Sequence, residues 1–189
     1  MIPIKGYATF HPLKHCWIGS GFKAEWFSEL FTDKKILDPL KRIADETEED
    51  YQKLDEILKS AGIKTYRSFL DREKFKSLHD IYRPPVNPRD HFAVVGEKIY
   101  CVSGGSGGYA DVLKQIDRKN ISITPTPGVI STATICRVGK DIWWDIHKDT
   151  TNDVIEKYKN LWIEEGFRVH TSHRGYHSDG AFCVVKPGC

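Results

Sequence analysis

The chain has 189 residues, 40% of them hydrophobic, 29% charged and 12% aromatic, with a formal net charge of +2. That length supports one substantial core and gives no reason by itself to invoke a second domain. No apolar run approaches the roughly 18 residues that would span a bilayer. The basic residues are mixed with acids, which leaves no electrostatic footprint for nucleic acid.

Residues 1–7 hold no apolar stretch of about 7–15 residues, so no secretory signal is read there. The five cysteines (Cys16, Cys101, Cys136, Cys183 and Cys189) form an odd, widely spaced set without a CxxC pair. The expectation is reduced thiols in a cytoplasmic protein, mostly small core residues on strands.

Taken in chain order, residues 15–19 read as one strand. Residues 47–60 predict a helix with Tyr51, Leu54, Ile57 and Leu58 on one face. Thr47 is its expected N-cap, and Gly62 lies just past its end. A short extended run follows at 63–66. Prolines 84, 85 and 88 stiffen a loop that carries Asp90 into the next strand. Residues 92–102 predict a hairpin turning at Gly96. A glycine-rich loop at 103–108 lacks the Gly-Lys-Ser/Thr ending of a P-loop and is expected to be a simple flexible loop.

A weak helix at 109–116 and a strand at 121–124 come next. Residues 133–143 then repeat the hairpin around Gly139, about 43 residues after Gly96, within the range of roughly 20–50 that signals repeat architectures. Residues 151–165 predict a second amphipathic helix, with Val154, Ile155, Tyr158, Leu161 and Trp162 on one face, ended by Gly166. An extended run at 167–170 follows, and a third hairpin begins at 180–188. The repeated unit is hairpin, helix, strand. Such a unit cannot bury its own apolar face, so copies are expected to pack on one another. Trp143, Trp144 and Trp162 are expected in that core.

His177 stands one residue from Asp179, at the entrance of the third hairpin. A histidine beside a carboxylate suits a general acid/base next to a cation-binding acid. Asp90 opens the earlier hairpin in the same way, with an ion pair to Arg89 or a turn cap as its structural alternatives. His170, His173 and His177 lack the Cys/His partner motif of a zinc site, so no metal is expected.

Four ordered segments carry a resemblance: residues 10–19; Pro88, Arg89 and Asp90 with the hairpin through Ile99; Arg137 to Ile142; and His177 to Phe182 with Lys186, Pro187 and Gly188. Together they resemble the amidinotransferase (glycine amidinotransferase-like) branch of the guanidino-group-modifying, or pentein, superfamily. The resemblance implies an α/β-propeller of ββαβ modules around a central active site, here about three of five blades and so incomplete. It implies a single domain over 1–189. It also implies chemistry without a metal or organic cofactor. A cysteine thiolate attacks the guanidinium carbon of an arginine-like substrate, an amine leaves, and the amidino group passes to an acceptor amine. By position, His177 would be the acid/base, Asp90 would bind the guanidinium, and Asp179 would hold it or orient the histidine.

Two departures accompany the match. Ser131 stands where the family places a catalytic aspartate, and a serine cannot stabilise imidazolium as a charge. The family's nucleophilic cysteine belongs to a Gly-rich, His-Cys segment that none of the five cysteines matches, so the chain reads as truncated before it. Cys183 and Cys189 are its nearest substitutes. The expectations are therefore an amidinotransferase whose cysteine comes from outside this chain, or a non-catalytic binding or assembly subunit that keeps the fold. Open strand edges would be covered by self-association or by a partner chain.

Overall fold

The computed structural model describes residues 1–8, 10–68, 88–102, 109–124, 132–148 and 150–173. Among the described residues it is an α/β structure with three small sheets, none of them closed. In chain order the elements are β1 (His15–Ile18), α1 (Lys34–Ser60), β2 (Lys64–Arg67), the single turn α2 (Pro88–His91), β3 (Phe92–Val95) and β4 (Lys98–Val102). They continue with α3 (Ala110–Leu113), β5 (Ile121–Thr124), β6 (Ile135–Val138), β7 (Asp141–Asp145), α4 (Asn152–Glu164) and β8 (Arg168–Ser172). Among the described residues the hairpin–helix–strand repeat is therefore present twice, as β3-β4-α3-β5 and β6-β7-α4-β8. A shorter first module consists of β1, α1 and β2.

The chain forms two compact units. In the larger, β3-β4-β5 and β6-β7-β8 share one topology, an antiparallel hairpin whose second strand pairs in parallel with the module's last strand. Both hairpins turn over two residues, with Gly96 at φ +58° and Gly139 at φ +62°. A positive φ at the first turn position matches the twist of the flanking strands, and glycine adopts it without a Cβ penalty.

The core of this unit lies between the two sheets. Ile155, Tyr158 and Trp162 of α4 are buried against Ala93, Val95 and Tyr100 of one sheet and Ile135, Ile142 and Trp144 of the other. Trp162 meets the Tyr100 ring edge-on at 5.8 Å and the Trp144 ring at 5.2 Å. Full burial of each such side chain contributes about 1.5–3 kcal/mol. Arg137 ties the hairpins together, its guanidinium donating to the Val94 carbonyl. The N-terminal segment adds a bridge between Gly6 and Gly96, with Gly6 N donating to Gly96 O at 2.8 Å.

In the smaller unit, β1 and β2 pair in parallel, and α1 packs on β2 and on a 3-10 helix at Ala24–Glu29. Trp17 of β1 meets Tyr109, the residue that opens α3, edge-on at 5.2 Å.

Four local expectations need correction. The first helix begins at Lys34, capped by Asp33, whose carboxylate accepts from Lys35 N at 2.9 Å. Pro39 lies inside it and hid the true start, because an interior proline normally breaks a helix. Thr47 is not a cap: its hydroxyl donates to Ile43 O one turn back. The helix expected at 109–116 is the short α3. Trp143 is 46% exposed, while Trp144 and Trp162 are buried as expected.

Candidate functional site

Strand direction assembles the candidate site. Within the larger unit, β3 and β6 begin at the end of their sheets where β4, β5, β7 and β8 finish. Asp90 occupies α2, immediately before β3. β8 finishes at the same end of its sheet, and His177 and Asp179 follow it in sequence. His177, Asp179, Ser131, Cys183, Cys189 and the 103–108 loop lie outside the described residues.

At this end the structure adds a residue that sequence reading passed over. Asp145 closes β7 and is only 6% exposed. Its Oδ1 accepts from Ser172 Oγ at 2.7 Å, and Ile146 N donates to Ser172 O at 2.8 Å, which fixes the last residues of β7 and β8 to one another. Strand alternation puts Asp145 on the same face as Asp141 and Trp143. Its only sequence signal is a carboxylate directly after an apolar strand.

The turn end of the same sheets is built differently. Asp141 accepts from Arg168 Nε at 2.8 Å and faces His170 Nε2 at 2.9 Å. The Arg168 hydrogen bonds, then His170, hold the Asp141 carboxyl well below the usual carboxylate range. The His170 ring stacks on Trp143 at 4.4 Å. Lys98 pairs with Glu165 at 2.6 Å. These charges are matched to one another, joining β7 to β8 and β4 to the end of α4. Among the described residues, no group of three His, Cys, Asp or Glu side chains is placed to hold a metal ion. No described helix is long and apolar enough to cross a membrane.

The described cysteines are poor nucleophiles. Burial pushes the Cys101 thiol up to about 12 and raises that of Cys16, and Cys136 is buried. A thiol so shifted stays protonated near neutral pH, whereas attack requires the thiolate.

The smaller unit holds a cleft of about 470 Å³ beyond the ends of β1 and β2, lined in part by Phe22, Trp26, Asp45, Glu48, Arg67 and Ser68. Its main charge pair is satisfied within the chain. Arg67 donates to both Glu48 oxygens, at 2.9 and 2.8 Å, and these bonds lower the Glu48 pKa.

The two three-stranded sheets and their connections give the chain a fold similar to that of solved amidinotransferases and of a dimethylarginine dimethylaminohydrolase. The particular likenesses are to solved structures. SxtG, an amidinotransferase from Microseira wollei in the saxitoxin biosynthetic pathway, matches with a TM-score of 0.66 and 18% identity, over 90% of this chain and 62% of that one. The inosamine-phosphate amidinotransferase of Streptomyces griseus matches with a TM-score of 0.69 and 16% identity, over 98% and 68%. DDAH from Pseudomonas aeruginosa, complexed with citrulline, matches with a TM-score of 0.56 and 12% identity, over 87% and 63%. The chain thus spans about two thirds of the length of these proteins. No protein-family model and no curated protein matches the sequence.

Proposed function

We propose that the chain is three modules of a propeller-type guanidino-modifying domain, a single domain over 1–189, and that it forms the guanidinium-holding side of the site. In this reading Asp90 and Asp179 hold the planar cation of an arginine-like compound and His177 moves the proton. A cysteine from outside these residues attacks the guanidinium carbon. As that carbon–nitrogen bond breaks, the leaving amine takes a proton from His177. The acceptor amine then displaces the thiolate from the amidino carbon and returns a proton to the histidine.

The observation that carries the proposal is the fold match to two amidinotransferases over nearly the whole chain. The strand-end position of Asp90 and the raised pKa of the Cys16 and Cys101 thiols are consistent with it. Calorimetric titration with L-arginine tests it. Wild type should bind, and Asp90→Asn and Asp179→Asn should each weaken binding about tenfold or more, since each removes a charge partner of the cation. No binding of any guanidino compound would refute the proposal.

The buried cysteines, with Ser131 in place of the aspartate, favour a second reading, a non-catalytic binding or assembly subunit. Incubation with guanidino-13C arginine and an acceptor amine separates the two. Transfer that disappears in His177→Ala would establish an enzyme, and binding without transfer would leave the subunit.

A further inference from the structure

Burial alternates along residues 1–8. Ile2, Ile4, Gly6 and Ala8 are half-buried, while Met1, Pro3, Lys5 and Tyr7 are exposed. That is the period of an extended segment laid with one face on a surface. The surface belongs throughout to the larger unit. Ile2 N donates to Gln115 O at 2.7 Å, beside the buried Ile116. Gly6 and Gly96 exchange both backbone bonds, at 2.8 and 2.9 Å. Tyr7 stacks on Phe167, which follows α4, at 6.1 Å. Residues 2–7 thus touch three separate places: the stretch before β5, the β3-β4 turn and the end of α4.

Gly6 also lies over the bond from Arg137 to the Val94 carbonyl that joins the two hairpins. A Cβ at Gly6 would stand 2.7 Å from Val94 Cγ1 and would collide with Arg137 Nη1, so a larger residue would push the segment away. The Arg137 side chain is half-buried there, and among the described residues it has no carboxylate partner. A cation kept from water without an ion pair is held at a cost, which is relieved when water returns. The segment is therefore tied down by few bonds, over a charge that gains from its lifting. The buried cluster between the sheets contains no residue of this segment, so lifting it takes no side chain out of that core.

We infer that residues 2–7 are a releasable strap, which covers the Arg137–Val94 link when closed and lifts as one unit without unfolding the two sheets. Closed, it holds the β3-β4 turn against the end of α4 and keeps water from the guanidinium that joins the hairpins. Open, it exposes that guanidinium and leaves the sheets tied by their shared core. Such a segment belongs to the low-stability end of a structure, where local opening is separate from global unfolding.

Native-state hydrogen exchange on the full chain, followed by NMR, tests this. In wild type the Ile2, Gly6 and Gly96 amides should share one protection factor, about tenfold or more below that of the best protected amides of β4 and β7. Gly6→Val should lower the protection of Ile2 and Gly96 together, by about tenfold or more, and should speed exchange of the Arg137 guanidinium protons. The sheet amides should stay protected in that variant. Tyr7→Ala removes only an exposed ring and should act in the same direction to a smaller degree, which keeps the test open if Gly6→Val does not fold. Strap amides that exchange only together with the sheets, Ile2 and Gly96 amides that respond separately, or Arg137 protons that do not respond would each overturn the inference.

Discussion

The two three-stranded sheets share topology, register and turn, yet differ in what covers them. Trp162 is wedged between both, touching Tyr100 of the first and Trp144 of the second. The Tyr100 face of the first sheet is sealed, and the equivalent Trp143 face of the second is half open. The difference teaches that burial in this fold is set by the neighbouring module, while strand and turn are set locally.

The largest expected effect comes from removing the wedge. Trp162→Ala should cost about 3–5 kcal/mol in urea unfolding, because it opens a cavity against both sheets at once. Trp143→Ala, at a half-exposed position, should cost well under half of that. Equal losses would contradict the comparison.

Arg137→Ala should follow, at about 1–3 kcal/mol, because it removes the guanidinium bond to Val94 O that joins the hairpins. Burial already depresses the Arg137 pKa, a sign that its site is partly shielded from water. The denaturation midpoint should fall without a change in slope.

The turn glycines sharpen the contrast at smaller scale. Gly139→Ala should cost about 1 kcal/mol for its positive φ alone, since a Cβ there meets nothing within 4 Å. Gly96→Ala should cost more, because its Cβ would lie 3.1 Å from the Phe167 ring. Thermal melts of the two variants should separate in that order.

Asp141→Asn should have the smallest effect at neutral pH, below about 1 kcal/mol, because its Arg168 partner is largely exposed. Its signature is in the pH dependence. The folded-state pKa of Asp141 lies below its unfolded value, so its contribution is complete above the unfolded pKa of about 4 and fades as pH falls through the folded pKa. Stability against pH should therefore be flatter in the variant than in wild type on the acid side.

Much of this fold was legible in the sequence. Gly96 and Gly139 marked both hairpins, and the spacing of Ile155, Tyr158 and Trp162 marked the buried face of α4. The start of α1 was hidden by Pro39, whose local penalty the rest of a 27-residue helix outweighs. The exposure of Trp143 could not be read from its strand, because it depends on whether a helix from elsewhere arrives. Asp145 was missed for a related reason: alternation gives a side chain's face, and burial at a strand end depends on what lies beyond it. Of the candidate site, Asp90 is placed before β3, while the roles of His177 and Asp179 rest on motif resemblance.

The most direct test of the central proposal compares L-arginine with citrulline, its uncharged counterpart at the same length, by calorimetry on the wild-type chain. A site built on Asp90 and Asp179 should prefer arginine by about tenfold or more, because only arginine brings the cation those carboxylates would hold. Equal affinity for the two, or no binding of arginine, would contradict the account.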